Sequence, residues 1–163
     1  TGSGCIPISL KLNIENASVQ ACDISEKAIV VAQENSKNLK ALVDFFKLDI
    51  LDEKQWSKQK QYDIIVSNPP YIPNKEKKLM HENVLNFEPG LALFVENNEP
   101  IIFYEKIMNF ALSKLKKNGL LFFECNEYNA LEVVAMLERN AFCDVELRND
   151  INGKNRMIKA QLI

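Results

Sequence analysis

The residues with the clearest chemical potential form one corner of the chain, Asn68-Pro69-Pro70-Tyr71 in the stretch "SNPPYIP". Asn68 carries a side-chain carbonyl, and proline has a fixed φ and no N–H, so the backbone here presents only carbonyl oxygens. Two acceptors that converge on one small group suit an –NH2 donor, and the Tyr71 ring offers a flat face to a planar amide or base. The pattern therefore predicts a corner that binds a planar –NH2 group. A rigid turn after a strand is the alternative.

A second candidate site is the glycine-rich turn formed by Thr1, Gly2, Ser3 and Gly4. Such a turn lets the backbone approach a nucleotide-like ligand at the carboxyl edge of a sheet. Asp23 ends the next predicted strand, where an acid can accept hydrogen bonds from both ribose hydroxyls. Pro7 stands where a dinucleotide-binding pattern has its third glycine, which indicates a nucleoside ligand without a pyrophosphate. A plain glycine turn is the alternative for the first four residues.

A third candidate site is Asp49, at the end of the following predicted strand. Its carboxylate could accept a hydrogen bond from the exocyclic amine of an adenine, while Ile24 and Ile50 offer apolar faces to the ring. Asp23 and Asp49 could each instead cap a turn or a helix. Because open α/β sheets bind ligands at the carboxyl ends of their strands, we expect the three sites to share one sheet edge.

The first half of the chain alternates between strand and helix patterns, which would bring these sites to strand ends. Strands are predicted over residues 17–23, 43–50 and 62–68. A helix is predicted over 24–40, with Ser25 as its N-cap. The residues after Tyr71 lack a periodic pattern up to about Glu99, and long irregular stretches in compact domains are usually functional.

The second half continues the alternation. Predicted helices cover 100–117, with Gly119 as the stop signal, and 127–141. Predicted strands cover 119–125, 143–148 and 156–163. The link between the last two is too short for a crossover helix, so this pair must be antiparallel.

This order predicts an α/β fold: a mainly parallel, doubly wound sheet with an antiparallel final strand. We expect residues 1–163 to form one domain. A glycine turn at residue 1 needs a strand before it, so we also expect a piece of a longer protein, truncated after its first strand.

Composition narrows the classes of function. The net charge is −2, and the short lysine-containing segments form no basic stripe, so nucleic acid is a disfavoured partner. No segment resembles a membrane span or a signal peptide, which favours a cytoplasmic protein. The widely spaced cysteines, three of which lie in or beside apolar strand-like runs, are predicted to be buried free thiols. His81 lacks nearby ligand types, and no metal site is predicted.

Taken together, these motifs resemble a known family. "TGSG", Asp23, "LDI" and above all "NPPY" resemble S-adenosylmethionine-dependent methyltransferases that modify planar nitrogen. "NPPYIP", "HENVLNFEPGLALF" (81–94) and "GKNRMIKAQL" (153–162) closely resemble the HemK/PrmC family, whose members methylate the glutamine amide in the Gly-Gly-Gln motif of peptide-chain release factors. The resemblance covers nearly the whole chain. It implies a class I, Rossmann-like methyltransferase fold, S-adenosylmethionine as cofactor with S-adenosylhomocysteine as product, and a release factor as substrate.

The resemblance also assigns roles to residues. Thr1–Gly4 match the cofactor loop, Asp23 matches the ribose-binding acid, and Asp49 with Ile50 matches the adenine contact. Asn68–Tyr71 match the substrate clamp, with Asn68 counted among the cofactor-binding residues as well.

Several features depart from the family pattern. Ile50 stands where relatives often have an aromatic residue, "ECNEYNA" differs from the usual ending of its strand, and the family's helical N-terminal domain is absent from the sequence. Two alternatives therefore stay open. One is an amino-methyltransferase acting on adenine or guanine in DNA or RNA, and the other is a non-catalytic cofactor-binding fragment.

Overall fold

The computed structural model describes residues 1–73, 94–95 and 100–163, which form two compact units, Thr1–Gln55 and Trp56–Ile163. The resemblance motif over 81–94 lies outside the described residues except for the backbone of Phe94, and so does His81. Within the described ranges, no helix combines the length and the apolar character that a membrane crossing needs.

The first unit is built from two helices and two strands. Helix α1 is Cys5–Asn13, strand β1 is Val19–Asp23, helix α2 is Glu26–Asn38 and strand β2 is Val43–Lys47. Strands β1 and β2 are parallel, with Asp23 opposite Lys47 at their carboxyl ends. A 3₁₀ helix, Glu53–Lys58, begins near the end of this unit.

Helix α2 forms where the sequence predicts it, because its cap and its buried face both favour a helix. Ser25 is the N-cap, and its hydroxyl accepts a hydrogen bond from the Ala28 N–H at 3.3 Å. Ile29 and Ala32 are buried one helical turn apart, whereas Val31 is exposed. The helix face that carries Ile29 and Ala32 is therefore part of the hydrophobic core of this unit.

The second unit contains a four-stranded sheet in the order β3-β6-β8-β7. Its elements are β3 Tyr62–Ser67, β4 Ile72–Pro73, β5 Phe94–Val95, α3 Ile102–Lys114, β6 Leu115–Glu124, α4 Ala130–Glu138, β7 Phe142–Asn149 and β8 Asn155–Leu162. Strands β3 and β6 are parallel, and β8 is antiparallel to both β6 and β7. The predicted antiparallel final pair is confirmed.

The core of the second unit lies against β6 and β8. Leu121 and Ile158 are almost completely buried in these strands. Tyr104 of α3 is fully buried and meets Phe123 edge to face, with ring centroids 5.2 Å apart. These contacts stabilise the end of β6, where Glu124 lies, and the start of β8, where Arg156 lies.

The predicted role of Gly119 as a helix stop is wrong. Helix α3 ends at Lys114, and Gly119 lies within β6, at a register irregularity in the pairing with β3. A Cβ on Gly119 would lie 2.8 Å from the Lys116 carbonyl oxygen and 3.1 Å from that of Asp63. The glycine is therefore explained by the close approach of two backbones and not by a helix cap.

The cysteines in the described residues are all free thiols, as predicted. Only Cys125 is buried; Cys22 and Cys143 are half-buried and Cys5 is exposed. The prediction of burial was therefore correct for Cys125 and wrong for the other three thiols. Burial raises the pKa of Cys125 to about 11.

Candidate functional site

The carboxyl end of β1 and the glycine turn meet in the first unit. The Gly2 N–H donates to Asp23 Oδ2 at 2.9 Å, and the Thr1 nitrogen lies 3.1 Å from the same oxygen. Asp23 Oδ1 accepts a hydrogen bond from the Ser25 N–H, also at 2.9 Å. One carboxylate thus connects the glycine turn, the end of β1 and the start of α2.

The charge on Asp23 is stabilised by these contacts. Burial raises the pKa of the carboxyl group, but the hydrogen bonds from the Gly2 and Ser25 amides outweigh it and hold the pKa below its ordinary value. The side chain keeps 17% of its surface exposed. Because each carboxylate oxygen has two lone pairs, Asp23 retains acceptor capacity for a further donor.

The glycine turn has the shape that a ligand loop requires. Gly2 and Gly4 have positive φ values of 57° and 86°. A Cβ on Gly2 would meet nothing within 4 Å, whereas one on Gly4 would lie 3.1 Å from the Ala32 Cβ and the Ile8 Cδ1. The turn is therefore packed tightly onto α2 at Gly4 and open at Gly2, which leaves space for a ligand at its first glycine.

Replacing Gly4 should destabilise the protein through both backbone strain and crowding. Gly4→Ala combines a left-handed backbone, which costs about 1–2 kcal/mol, with overpacking of about 1–3 kcal/mol. Gly153→Ala is the matched control, because Gly153 has a φ of 76° and open space at its Cβ position. We expect urea unfolding to show a loss in free energy about twice as large for Gly4→Ala. Equal losses would contradict the packing of Gly4 against α2.

Asn35 is a site residue that the sequence analysis missed. Its side-chain Nδ2 donates to the Ser3 carbonyl at 2.9 Å and so ties the glycine turn to α2. A signal was present in the sequence, because Asn35 follows Ala32 by three residues and Ala28 by seven and therefore shares the inward helix face. A polar residue on that face has to find a hydrogen-bond partner.

Asp49 lies two residues beyond β2, close to Asp23 in the fold. The Leu48 N–H donates to the Asp23 carbonyl oxygen at 3.1 Å, which places the two strand ends side by side. Asp49 Oδ1 accepts from the Leu51 N–H at 2.9 Å, so the carboxylate caps a turn. This contact matches the alternative role for Asp49, while its adenine role stays a prediction.

The two isoleucines assigned to the adenine ring lie at the same strand ends. Ile24 keeps 50% of its surface exposed directly after β1, and Ile50 is half-buried. An apolar side chain exposed beside Asp23 is available to a planar ring. The structure brings the predicted cofactor residues of the first unit to one edge of the β1–β2 sheet.

The corner Asn68–Tyr71 follows β3 in the second unit. Asn68 is exposed, Pro69 is buried, and Pro70 and Tyr71 are half-buried. The next residues, Ile72 and Pro73, pair in parallel with Phe94 and Val95. The corner therefore has a buried proline as its anchor and an exposed amide beside it. That Asn68 shares an edge with the glycine turn stays a prediction.

Comparison with known proteins identifies a family model and several relatives that match this chain. The family model for the methyltransferase small domain matches residues 1–91. The chain is 48% identical to a release factor glutamine methyltransferase of Flavobacterium psychrophilum over 98% of this chain and 55% of the relative. It is 43% identical to the protein of the same name from Bacteroides thetaiotaomicron, over 98% of this chain and 57% of that relative. The chain thus spans just over half the length of these relatives.

Solved structures support the fold assignment. The crystal structure of TrmN from Thermus thermophilus matches all of this chain and 42% of its own length, with a TM-score of 0.67 at 18% identity. The α/β architecture with a mixed sheet is that of the class I methyltransferases. The names of the two relatives confirm the resemblance to the HemK/PrmC family. Since the family model matches more than half of the residues of this chain, the chain belongs to the methyltransferase small domain family.

Proposed function

We propose that this chain transfers a methyl group from S-adenosylmethionine to the side-chain amide nitrogen of the glutamine in the Gly-Gly-Gln motif of a peptide-chain release factor. The observation that carries the proposal is the corner after β3, where an exposed Asn68 stands beside a buried Pro69. The names of the relatives support a release factor as the partner. The product of the cofactor is then S-adenosylhomocysteine.

The residues of the first unit fit a nucleoside cofactor. Asp23 keeps acceptor capacity for a ribose hydroxyl, and Gly2 leaves open space where a side chain would otherwise stand. Ile24 and Ile50 would lie against the adenine, and Asp49 would accept its exocyclic amine. When bound, S-adenosylmethionine supplies a sulfonium methyl group that is already strongly electrophilic.

In this mechanism the corner Asn68–Tyr71 orients the substrate. The lone pair of an amide nitrogen is delocalised, and the rotation barrier of about 18–20 kcal/mol measures that conjugation. Neutral hydrogen bonds contribute only about 0.5–1.5 kcal/mol each, so two acceptors cannot activate the nitrogen by polarisation alone. Alignment of reacting groups can contribute about 7–11 kcal/mol.

Asn68 and the Pro69 carbonyl therefore hold the –NH2 group, and the Tyr71 ring lies against the amide plane. The corner contains no group suited to act as a general base. The nitrogen accordingly loses its proton to water after it has taken the methyl group.

The test is transfer of labelled methyl from S-adenosylmethionine to purified release factor by the complete protein. We expect label on the peptide that contains Gly-Gly-Gln, and none when its glutamine is replaced by glutamate. Ribosomal RNA, transfer RNA and DNA are assayed in parallel. Label in a nucleic acid and not in release factor would overturn the proposal in favour of a base methyltransferase. Calorimetric cofactor binding without transfer to any of these would overturn it in favour of a binding module.

A further inference from the structure

A cluster of polar side chains contacts the corner Asn68–Tyr71, here called the substrate corner, in the second unit. The Tyr71 hydroxyl lies 3.4 Å from Glu124 Oε1, at the carboxyl end of β6. The Arg156 guanidinium of β8 lies near that hydroxyl, and its positive charge lowers the pKa of Tyr71 against the larger effect of burial. A phenol can donate one hydrogen bond and accept others, so Tyr71 can donate to the carboxylate and accept from the guanidinium at once.

Arg156 is held by both of its neighbouring elements. Its Nη1 donates to the Cys125 carbonyl at 3.1 Å, and its Nε donates to Asp150 Oδ2 at 3.3 Å. In the main chain, the Cys125 N–H donates to the Arg156 carbonyl at 2.8 Å. These contacts fix the guanidinium between the end of β6 and the turn that connects β7 and β8, with only 28% of its side chain exposed.

Glu124 is fixed from the opposite side. The hydroxyl of the fully buried Tyr104 donates to the Glu124 carbonyl oxygen at 3.2 Å. The ring of Tyr104 is itself held by its edge-to-face contact with Phe123. The carboxylate that faces Tyr71 therefore projects from a backbone position that the core holds in place.

The substrate corner needs support of this kind. Pro69 and Pro70 have no N–H, so these two residues supply no backbone donor that could hold the corner. Pro69 is anchored by burial, and Ile72 pairs with Phe94, but Asn68 itself is exposed. The Tyr71 side chain thus provides a polar connection between the corner and the end of β6.

We propose that Glu124 and Arg156 are positioning residues that hold the Tyr71 hydroxyl, and through it the ring of Tyr71 and the amide of Asn68, in the orientation that the substrate requires. The inference rests on the proposed function for its role in methyl transfer. Glu124 and Arg156 act through Tyr71 and need no contact with the reacting atoms.

The protonation state of Tyr71 is consistent with this role. Burial is the largest cause that raises the pKa of Tyr71, and the negative charge of Glu124 raises it further. The hydroxyl therefore stays protonated at neutral pH and remains a donor. This argues against Tyr71 as a general base.

The test compares single and double variants of the complete protein. Glu124→Ala, Arg156→Ala and Tyr71→Phe should each lower kcat for release factor by about tenfold, which equals about 1.4 kcal/mol, and leave the Kd for S-adenosylmethionine within about twofold. Glu124→Gln should recover part of the loss, because its carbonyl still accepts from Tyr71. The double variant Tyr71→Phe with Glu124→Ala should be no slower than the slower single variant, since both changes remove one interaction.

The matched control is a second Glu–Arg pair in the same sheet. Arg148 and Glu146 form an ion pair of 2.7 Å on β7, and both are more exposed than Arg156. Glu146→Ala and Arg148→Ala should leave kcat unchanged. Additive losses in the double variant, or normal kcat in Glu124→Ala, would overturn the proposal.

A second measurement is independent of activity. Hydrogen exchange at the amides of Asn68, Tyr71 and Ile72 should be about tenfold faster in Glu124→Ala and Arg156→Lys than in the unaltered protein, with the thermal midpoint monitored to exclude global unfolding. Unchanged exchange would overturn the positioning role. If release factor is not methylated even by the unaltered protein, the proposed function fails, and this exchange measurement still decides whether the network orders the corner.

Discussion

Asn68→Ala should lower methyl transfer to release factor by about a hundred- to a thousandfold, while the affinity for S-adenosylmethionine changes by less than about threefold. Losses of this size follow when one group of a preorganised polar site is removed. Asn68 is exposed at the end of β3, so its removal leaves no cavity and should not destabilise the fold. Under the proposed function, the change removes one of the two acceptors that would align the substrate amide with the cofactor methyl group.

Turnover with labelled cofactor and calorimetric cofactor binding measure the two halves of this prediction. Asn140→Ala is the matched control, because Asn140 is an exposed asparagine of the same unit whose side chain donates to the Met136 carbonyl at the end of α4. We expect normal turnover in the control. Near-normal turnover of Asn68→Ala would end the substrate-clamp role, and a parallel loss of cofactor affinity would assign Asn68 to the cofactor instead.

Asp23→Ala should act first on cofactor binding, with a loss in affinity of about ten- to a hundredfold. Hydrogen bonds to a charged group contribute about 1.5–3 kcal/mol each, and about 1.4 kcal/mol corresponds to a factor of ten. The variant loses the acceptor for Gly2 and Ser25 as well as any bond to ribose. Asp44→Ala is the control, since Asp44 is an exposed acid of β2 that accepts from Gln20.

A cofactor analogue separates the two roles of Asp23. S-adenosylhomocysteine and its 2′-deoxy form are titrated into both proteins. If Asp23 accepts from the ribose, removal of the hydroxyl should weaken binding to the unaltered protein but not to Asp23→Ala. Equal weakening in both proteins would show that Asp23 only holds the glycine turn. If Asp23→Ala binds S-adenosylhomocysteine as tightly as the unaltered protein does, Asp23 has neither role.

The lowered pKa of Asp23 adds a pH dependence. A carboxyl group with a depressed pKa in the folded state stabilises that state above its ordinary pKa, and the contribution is lost as the pH falls through the lowered value. The contacts with Gly2 and Ser25 are therefore complete at neutral pH and weaken only in acid.

Local patterns were sufficient to predict the elements that position the site. The N-cap at Ser25, the short link between β7 and β8 and the apolar run of β3 are all encoded within a few residues of sequence. Gly119 was misassigned because a glycine at a helix stop and a glycine at a close backbone approach look alike in sequence. Only the pairing of Gly119 with the neighbouring strand distinguishes them.

The contacts that hold the site could not be predicted in the same way. Asn35 reaches Ser3 across 32 positions, and Tyr71 reaches Glu124 across 53. Such contacts depend on which strand ends become neighbours, and periodicity along one element carries no information on that choice. The sequence was therefore sufficient to propose the residues of the candidate site, whereas the residues that contact them could be found only from the fold.

The position of β8 has a consequence for biosynthesis. This strand lies between β6 and β7 although it follows both in the chain. During synthesis on the ribosome, neither β6 nor β7 can therefore pair with β8 until residues 155–162 have left the exit tunnel. Until then the edges of β6 and β7 that later pair with β8 have unpaired N–H and C=O groups, at which chaperones bind and aggregation begins. Nascent chains arrested before residue 155 should accordingly be far more sensitive to protease in this unit than chains arrested on an added C-terminal linker that is long enough to bring residue 162 out of the tunnel.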